Sequence, residues 1–232
     1  LYFTDIRPDA ETYNANIAKV RPSLVNAEKN PNTIFMQNVY NTWYDNNPAY
    51  AQIKVADLDA ANYENMLKVA KKHLANAADF TFTFVGNVDI DALRPLVAQY
   101  IASLPAKNGK KEVAKDDKLA SKKGDVYGEF IYATENNQAN YAGIWHTNKI
   151  AYTAENSVMA SIVGQLMSTN LTNSVREDEG AAYSPHASAS LDMSFEPELV
   201  VQASFGIDPK KKDRVCELTA KALTDLSTNV KE

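Results

Sequence analysis

The sequence is poor in the residues that build covalent cross-links and metal sites. It has one cysteine and three histidines among 232 residues. The single thiol, Cys216, excludes a disulfide within the chain and a cysteine-rich zinc module. Metal-binding helices of the H-E-x-x-H or H-x-x-E-H type need two histidines about one turn apart, and His73, His146 and His186 satisfy neither pattern. We therefore expect no metal site in this chain.

Several other functional classes are excluded because their patterns are missing. No apolar stretch approaches the ~20 residues that cross a bilayer, so we expect no membrane span. The eight glycines are scattered and form neither G-x-G-x-x-G nor G-x-x-x-x-G-K, which argues against a phosphate-binding loop. No G-x-S-x-G elbow indicates a serine nucleophile. The formal charge of −5 disfavours a nucleic-acid partner, because sequence-independent binding depends on clustered positive charge.

The composition is that of a folded protein, with 45% hydrophobic and 23% charged residues. In the first 105 residues, capping residues and apolar positions at helical spacing predict four helices and one strand. The first helix starts after Asp9 and is expected to end near Val20, because Pro22 follows. The other helices are predicted at about residues 33–44, at 57–77 and after a cap at Asp89 or Asp91, with a strand of alternating aromatic residues and threonines at 80–85.

A lysine-rich stretch at residues 106–124 contains almost no large apolar residue, and we interpret it as a solvated connection between two domains. A basic nucleic-acid patch is the alternative, but Glu112, Asp116 and Asp117 interrupt the lysines and no aromatic stacking platform accompanies them. After this stretch the pattern predicts a hairpin of two strands at 126–132 and 139–146, joined by a polar turn at 135–137. It then predicts a helix from Thr153, strands at 183–191 and 199–205, and a last helix capped by Asp208.

One short segment has side chains that indicate a chemical role. Arg176 stands near the end of a predicted helix, Gly180 ends that helix, and Tyr183 begins a predicted strand. A guanidinium and a phenol are donors suited to a peptide carbonyl, and better suited to the oxyanion that forms when the carbonyl is attacked. The alternative from local sequence alone is structural: the arginine pairs with Glu177 or Glu179, and the tyrosine covers a sheet edge.

Taken together, these segments resemble the insulinase/pitrilysin family of zinc metallopeptidases, the inverzincins. The resemblance covers nearly the whole chain. It rests on YFT at residues 2–4 with the helix that follows, on FTFTFVGNVD at 80–89, on the helix ending in SLP at 103–105, and on Arg176 with the YSP run that starts at Tyr183. The chain departs from the active pattern because it contains no H-x-x-E-H.

The resemblance implies an α+β fold: an insulinase-like two-layer α/β domain, with a largely antiparallel sheet and helices packed on one face. It implies that residues 1–105 are the C-terminal part of a preceding homologous domain. Residues 125–232 are then a C-terminal insulinase-like domain, truncated at its end, with 106–124 as the linker. The chain starts without a methionine in a run that predicts a strand, which we expect of a fragment.

The resemblance also implies that the zinc site and the substrate-binding residues belong to different domains. In that family zinc and H-x-x-E-H belong to the first domain, while a later domain supplies an arginine and a tyrosine that hold the substrate near the scissile bond. Arg176 and Tyr183 are then the substrate-binding residues, and this chain has no catalytic residue and no zinc of its own. The expected partners are a peptide substrate, added as an extended strand at a sheet edge, and an N-terminal catalytic domain of the same protein or of a partner subunit.

These implications make the parent a zinc metalloendopeptidase and this fragment alone inactive. Two other interpretations stay open at this point. The parent is a catalytically dead, family-like scaffold or peptide-binding subunit, or the chain is an unrelated α/β ligand-binding domain. Because bacterial relatives are often exported, we expect the periplasm or cell envelope, with the cytoplasm as the alternative.

Overall fold

The structure, a computed structural model, describes residues 2–106, 111–113, 121–132, 138–193 and 196–228. Its helices and strands are α1 (Ala10–Ala27), α2 (Pro31–Trp43), α3 (Val55–Ala60), α4 (Tyr63–Leu74), α5 (Ile90–Tyr100), β1 (Ala139–Thr147), α6 (Ala154–Leu171), β2 (Ala187–Met193), β3 (Pro197–Ile207) and α7 (Lys212–Thr228). The chain divides into two compact units. Unit 1 is Leu1–Asn30 with Ala51–Leu119, and unit 2 is Pro31–Tyr50 with Ala120–Glu232.

The first helix of unit 1 begins as predicted and ends later than predicted. The Asp9 carboxylate caps α1 by accepting a hydrogen bond from the Thr12 N–H at 2.8 Å. The helix continues through Pro22 to Ala27, so the expected end near Val20 is wrong. Contacts distant in sequence hold the extra turn, because the Glu28 carboxylate accepts the Val55 N–H at 2.7 Å and Arg21 pairs with Asp59 on α3.

The predicted single helix at residues 57–77 is two helices, α3 and α4. Asn62 has an extended conformation, and its side chain accepts from the Asn65 N–H at 2.9 Å. A cap of this kind satisfies a backbone donor that α4 leaves open at its start. The chain therefore turns between α3 and α4 instead of continuing as one helix.

Residues 80–85 form no strand in the described part of unit 1, contrary to the prediction. Their aromatic side chains pack locally instead: the Phe3 ring lies 4.9 Å from the Phe80 ring and 5.9 Å from the Phe82 ring, centroid to centroid. The helix that follows is confirmed, because Asp89 caps α5. A period-two pattern predicts which side chains alternate, but a strand also needs a neighbouring strand to pair with.

Unit 2 is built on a three-stranded antiparallel sheet in the order β1-β3-β2. In β3 the buried side chains alternate with exposed ones, so Val201, Ala203, Phe205 and Ile207 form one face. Helices α6 and α7 pack on that face, and together they enclose the hydrophobic core of Met167, Leu171, Val175, Ala181, Ala187, Val201, Ala203, Phe205, Ile207, Val215, Leu218 and Ala222. The α+β class with an antiparallel sheet is confirmed.

The opposite face of the sheet carries a helix that the sequence did not predict there. Helix α2 lies beside β1 and β3: Asn140 on β1 donates to the Asn32 side chain at 3.0 Å, and the Ser204 hydroxyl on β3 lies 3.9 Å from the Met36 sulfur. Residues 31–50 therefore belong to unit 2, although they interrupt the sequence of unit 1. The assignment of residues 1–105 and 125–232 to two homologous domains stays a prediction.

The predicted hairpin of residues 126–132 with 139–146 is wrong. Strand β1 pairs with β3 along its full length, and residues 126–132 form no strand. They lie instead beside the start of α7, where Glu129 accepts from Lys212 at 3.0 Å and from the Tyr127 hydroxyl at 3.0 Å.

The predicted turn at 135–137 and most of the linker 106–124 lie outside the described residues. Across the described ranges, no helix is both long and apolar enough to span a membrane.

Candidate functional site

Arg176 lies where α6 changes its winding. After Leu171 the helix continues as a π-helix over Thr172–Asp178. Its wider turn directs Val175 into the core, where it is fully buried, and leaves the Arg176 side chain 45% exposed. Single π-turns are uncommon and occur often at functional sites. The helix at Arg176 was predicted, but its π geometry was not.

A short, anchored loop follows the π-helix and carries Tyr183. Gly180 has a φ of +58°, a left-handed conformation that favours glycine, and its N–H donates to the Arg176 carbonyl at 3.0 Å. Ala181 and Pro185 are both buried, so the loop is fixed on either side of Tyr183. Strand β2 starts at Ala187, so the prediction that the strand begins at Tyr183 is wrong.

The structure brings the two predicted site residues together on the surface of unit 2. The guanidinium carbon of Arg176 lies 5.1 Å from the centre of the Tyr183 ring. This is the distance of a cation–π contact, which at an exposed site contributes about 0.5–1 kcal/mol and favours this arrangement of the two groups. The tyrosine is 82% exposed, so the pair faces solvent and not the core.

The charges around the pair leave the arginine mostly available. Its Nε lies 3.4 Å from a Glu177 carboxylate oxygen, and both side chains are exposed, so the ion pair is worth at most about 1 kcal/mol. Glu179 pairs instead with Arg214 on α7, at 3.3 Å. A guanidinium has five N–H donors, and the contact with Glu177 uses one. The arrangement therefore presents donors that fit the carbonyl or carboxylate of a bound peptide.

The residues that the structure describes do not fit a zinc site. His73 lies 3.7 Å from Glu112, His146 lies 3.0 Å from Glu198, and the His186 ring lies 3.4 Å from the Ser168 hydroxyl. In the part of the chain that the structure describes, no group of three or more histidine, cysteine, aspartate or glutamate side chains is placed to hold a metal.

Cys216 is not placed to act as a nucleophile. It is partly buried in α7, and this burial raises the pKa of its thiol above the usual value. The reactive form of cysteine is the thiolate, which a raised pKa makes scarcer near neutral pH.

Comparison with known proteins identifies the family. Residues 60–232 match the family described as the peptidase M16 inactive domain. The chain belongs to the peptidase M16 family. The resemblance to zinc metallopeptidases is thereby confirmed, and the description of the family as an inactive domain is consistent with a non-catalytic role of the matched region. M16 inactive domains normally pair with a catalytic domain, and zinc belongs to that catalytic domain.

Three relatives show how much of an M16 protein the chain represents. It is 23% identical over 210 residues to the probable zinc protease PqqL of Haemophilus influenzae, covering 85% of this chain and 21% of that protein. It is similar in fold to the ferredoxin protease FusC, solved in complex with Arabidopsis ferredoxin, with a TM-score of 0.77, 18% identity, and coverage of 98% of this chain and 24% of that one. It is also similar in fold to the periplasmic protease PqqL from Escherichia coli, with a TM-score of 0.69 and 19% identity. That match covers 95% of this chain and 24% of that one. The chain thus spans about a quarter or less of these M16 proteins.

Proposed function

We propose that this chain is the substrate-binding, non-catalytic region of a zinc-dependent metallopeptidase that cleaves peptides or unfolded proteins. The observation that carries the proposal is the pair of Arg176, on the π-helix, and Tyr183, on the loop that follows, with the guanidinium carbon 5.1 Å from the ring centre. Membership of the M16 family supports it, since the chain belongs to an inactive domain of a zinc protease family.

The chemistry of the pair suits the backbone of a peptide. Guanidinium N–H groups and a phenol O–H both donate, and a peptide carbonyl offers two lone pairs that accept. Two donors fixed relative to each other lose little rotational freedom when they bind, so more of their hydrogen-bond energy contributes to affinity. Such donors also favour the oxyanion of a tetrahedral intermediate over the neutral carbonyl.

The relatives suggest which domains accompany this chain and in which compartment it acts. The catalytic zinc and its ligands are supplied by an N-terminal catalytic domain of the same protein or of a partner subunit. In the parent, residues 1–105 belong to one insulinase-like domain and residues 125–232 to the next. We place the protein in the periplasm, because the solved PqqL protease from Escherichia coli is periplasmic.

Photo-crosslinking tests this proposal on the full-length protein. A peptide with one benzophenone side chain is incubated with the protein in the presence of a zinc chelator, which prevents cleavage, and is then irradiated. We expect the crosslink within residues 176–185. Because hydrogen bonds to charged groups contribute about 1.5–3 kcal/mol, Arg176→Ala weakens labelling at least about tenfold.

The matched control is Arg214→Ala, another half-exposed arginine of unit 2, which keeps wild-type labelling. Crosslinks that fall outside residues 176–185 and do not change in the Arg176 variant would refute the substrate-binding role.

A further inference from the structure

A cluster of polar contacts holds the end of the linker on unit 2, and it lies apart from Arg176 and Tyr183 in sequence and on other elements. The Ser121 hydroxyl donates to Glu198 at 2.7 Å. The Lys122 N–H donates to the Trp43 carbonyl at 2.8 Å, and its ammonium group lies 3.1 Å from Asp45. Residues 121 and 122 are thereby tied to β3 and to the end of α2.

His146 on β1 stands at the centre of these contacts with both ring nitrogens engaged. Its Nδ1 lies 3.0 Å from a Glu198 carboxylate oxygen, and its Nε2 lies 3.2 Å from the backbone carbonyl of Lys122. The His146 side chain is only 24% exposed and that of Glu198 31% exposed, so water competes weakly for these bonds. The Trp43 ring, 6.3 Å from the imidazole ring, forms a further wall.

Both partners of the ring are acceptors only. A carboxylate and a backbone carbonyl have no proton to give, so each requires an N–H on the side of the ring that faces it. Only the imidazolium form carries an N–H on both nitrogens. In the neutral form one nitrogen turns a lone pair toward an acceptor, and one of the two bonds is lost.

We propose that His146 is a pH-sensitive latch that holds the end of the linker on unit 2 when its ring is protonated. The neutral ring keeps its proton on Nδ1, because the charged carboxylate is the stronger acceptor. Deprotonation therefore breaks the bond to the Lys122 carbonyl and leaves the bond to Glu198. Histidine is the side chain whose charge ordinarily changes between about pH 5 and 8.

The other charged groups around the ring come from β3, from the residues after α2 and from the end of the linker. Glu198 on β3 and Asp45 after α2 are carboxylates, and Lys122 is an ammonium ion that pairs with Asp45. Tyr44, on the same side, stays neutral because burial raises its pKa. These groups set the direction of the pH dependence. The contact between His146 and the Lys122 carbonyl is complete at low pH and is lost as the pH rises and the ring gives up its proton.

Hydrogen exchange of the Lys122 amide in the full 232-residue chain tests the latch. The measured quantity is the protection factor, in which the intrinsic pH dependence of exchange is divided out. We expect it to be about tenfold lower at pH 8 than at pH 5.5, since one charge-assisted hydrogen bond is lost. In His146→Phe it is low at both pH values. The matched control, His186→Gln, keeps the wild-type dependence, because the Ser168 hydroxyl beside His186 can donate as well as accept.

A second readout works without any variant. The ¹⁵N shifts of the His146 ring show two protonated nitrogens at pH 5.5 and the Nδ1–H tautomer at pH 8. The proposal is overturned if Lys122 protection does not change with pH in the wild-type chain. It is equally overturned if the neutral ring carries its proton on Nε2.

Discussion

Replacing Arg176 with alanine lowers kcat/KM of the full-length protein for a peptide substrate by about a hundredfold or more. In the proposed role, the guanidinium is a donor to charge that develops in the transition state, and the loss of one such donor typically costs at least about a hundredfold. Arg176→Lys recovers only part of the loss, because lysine keeps the charge but not the planar fork that lies over Tyr183. Steady-state kinetics on a fluorogenic peptide measure each value.

Tyr183→Phe separates hydrogen bonding from stacking at the same site. Phenylalanine keeps the ring beneath the guanidinium and removes only the hydroxyl, so a large fall in kcat/KM assigns the effect to the O–H donor. Arg214→Ala is the matched control and leaves kcat/KM within about twofold of wild type. A loss smaller than about threefold in both Arg176→Ala and Tyr183→Phe contradicts the proposed role.

Replacing Gly164 with alanine destabilises unit 2 by about 1–3 kcal/mol. In an open helix the same change stabilises by about 1 kcal/mol, because glycine is a poor helix former. Here the effect of the change reverses, since an added Cβ on α6 meets the backbone nitrogen of Ala189 and lies 2.9 Å from the carbonyl carbon of Ser188. Backbone atoms of a paired strand cannot move aside as a flexible side chain can, so α6 must shift away from β2.

Urea unfolding followed by circular dichroism measures the difference in the free energy of unfolding. Gly206→Ala in β3 is the matched control, because its nearest neighbour to an added Cβ is 3.8 Å away. We expect that variant to stay within about 0.5 kcal/mol of wild type. A Gly164→Ala protein as stable as wild type would show that α6 does not approach β2 as closely as described.

Local chemistry predicted where several elements begin, but not which segments pair. Asp89 or Asp91 was expected to cap a helix, because a short acidic side chain satisfies free N–H groups at a helix start, and the structure selects Asp89. Asp208, predicted to cap the last helix, caps the short 3-10 turn Pro209–Lys211 that leads into α7. The partner of β1 was missed, because alternation in a sequence does not say which strand is the neighbour. The stretch at 80–85 has a strand pattern, yet the described residues of unit 1 offer it local ring packing instead.

At the candidate site too, the local sequence predicted the residues but not all of their surroundings. The sequence identified Arg176 and Tyr183 as candidate residues on either side of Gly180, and the structure places them 5.1 Å apart. Their role in binding a substrate stays a prediction. The π-helix was not predicted because it depends on how Val175 packs in the core, which the local sequence does not encode. His146 was interpreted as the end of a strand, since its partner Lys122 lies in a segment that the composition marks as solvated linker.

The most direct test of the central claim compares this chain with the full-length protein that contains it. Both are dialysed against zinc, their bound metal is measured by mass spectrometry, and both are assayed on the same peptide library. We predict that the 232-residue chain binds no stoichiometric zinc and cleaves nothing, while the full-length protein binds one zinc for each catalytic domain and cleaves peptides. Zinc-dependent cleavage by the isolated chain, or a full-length protein that neither holds zinc nor cleaves, would contradict the account.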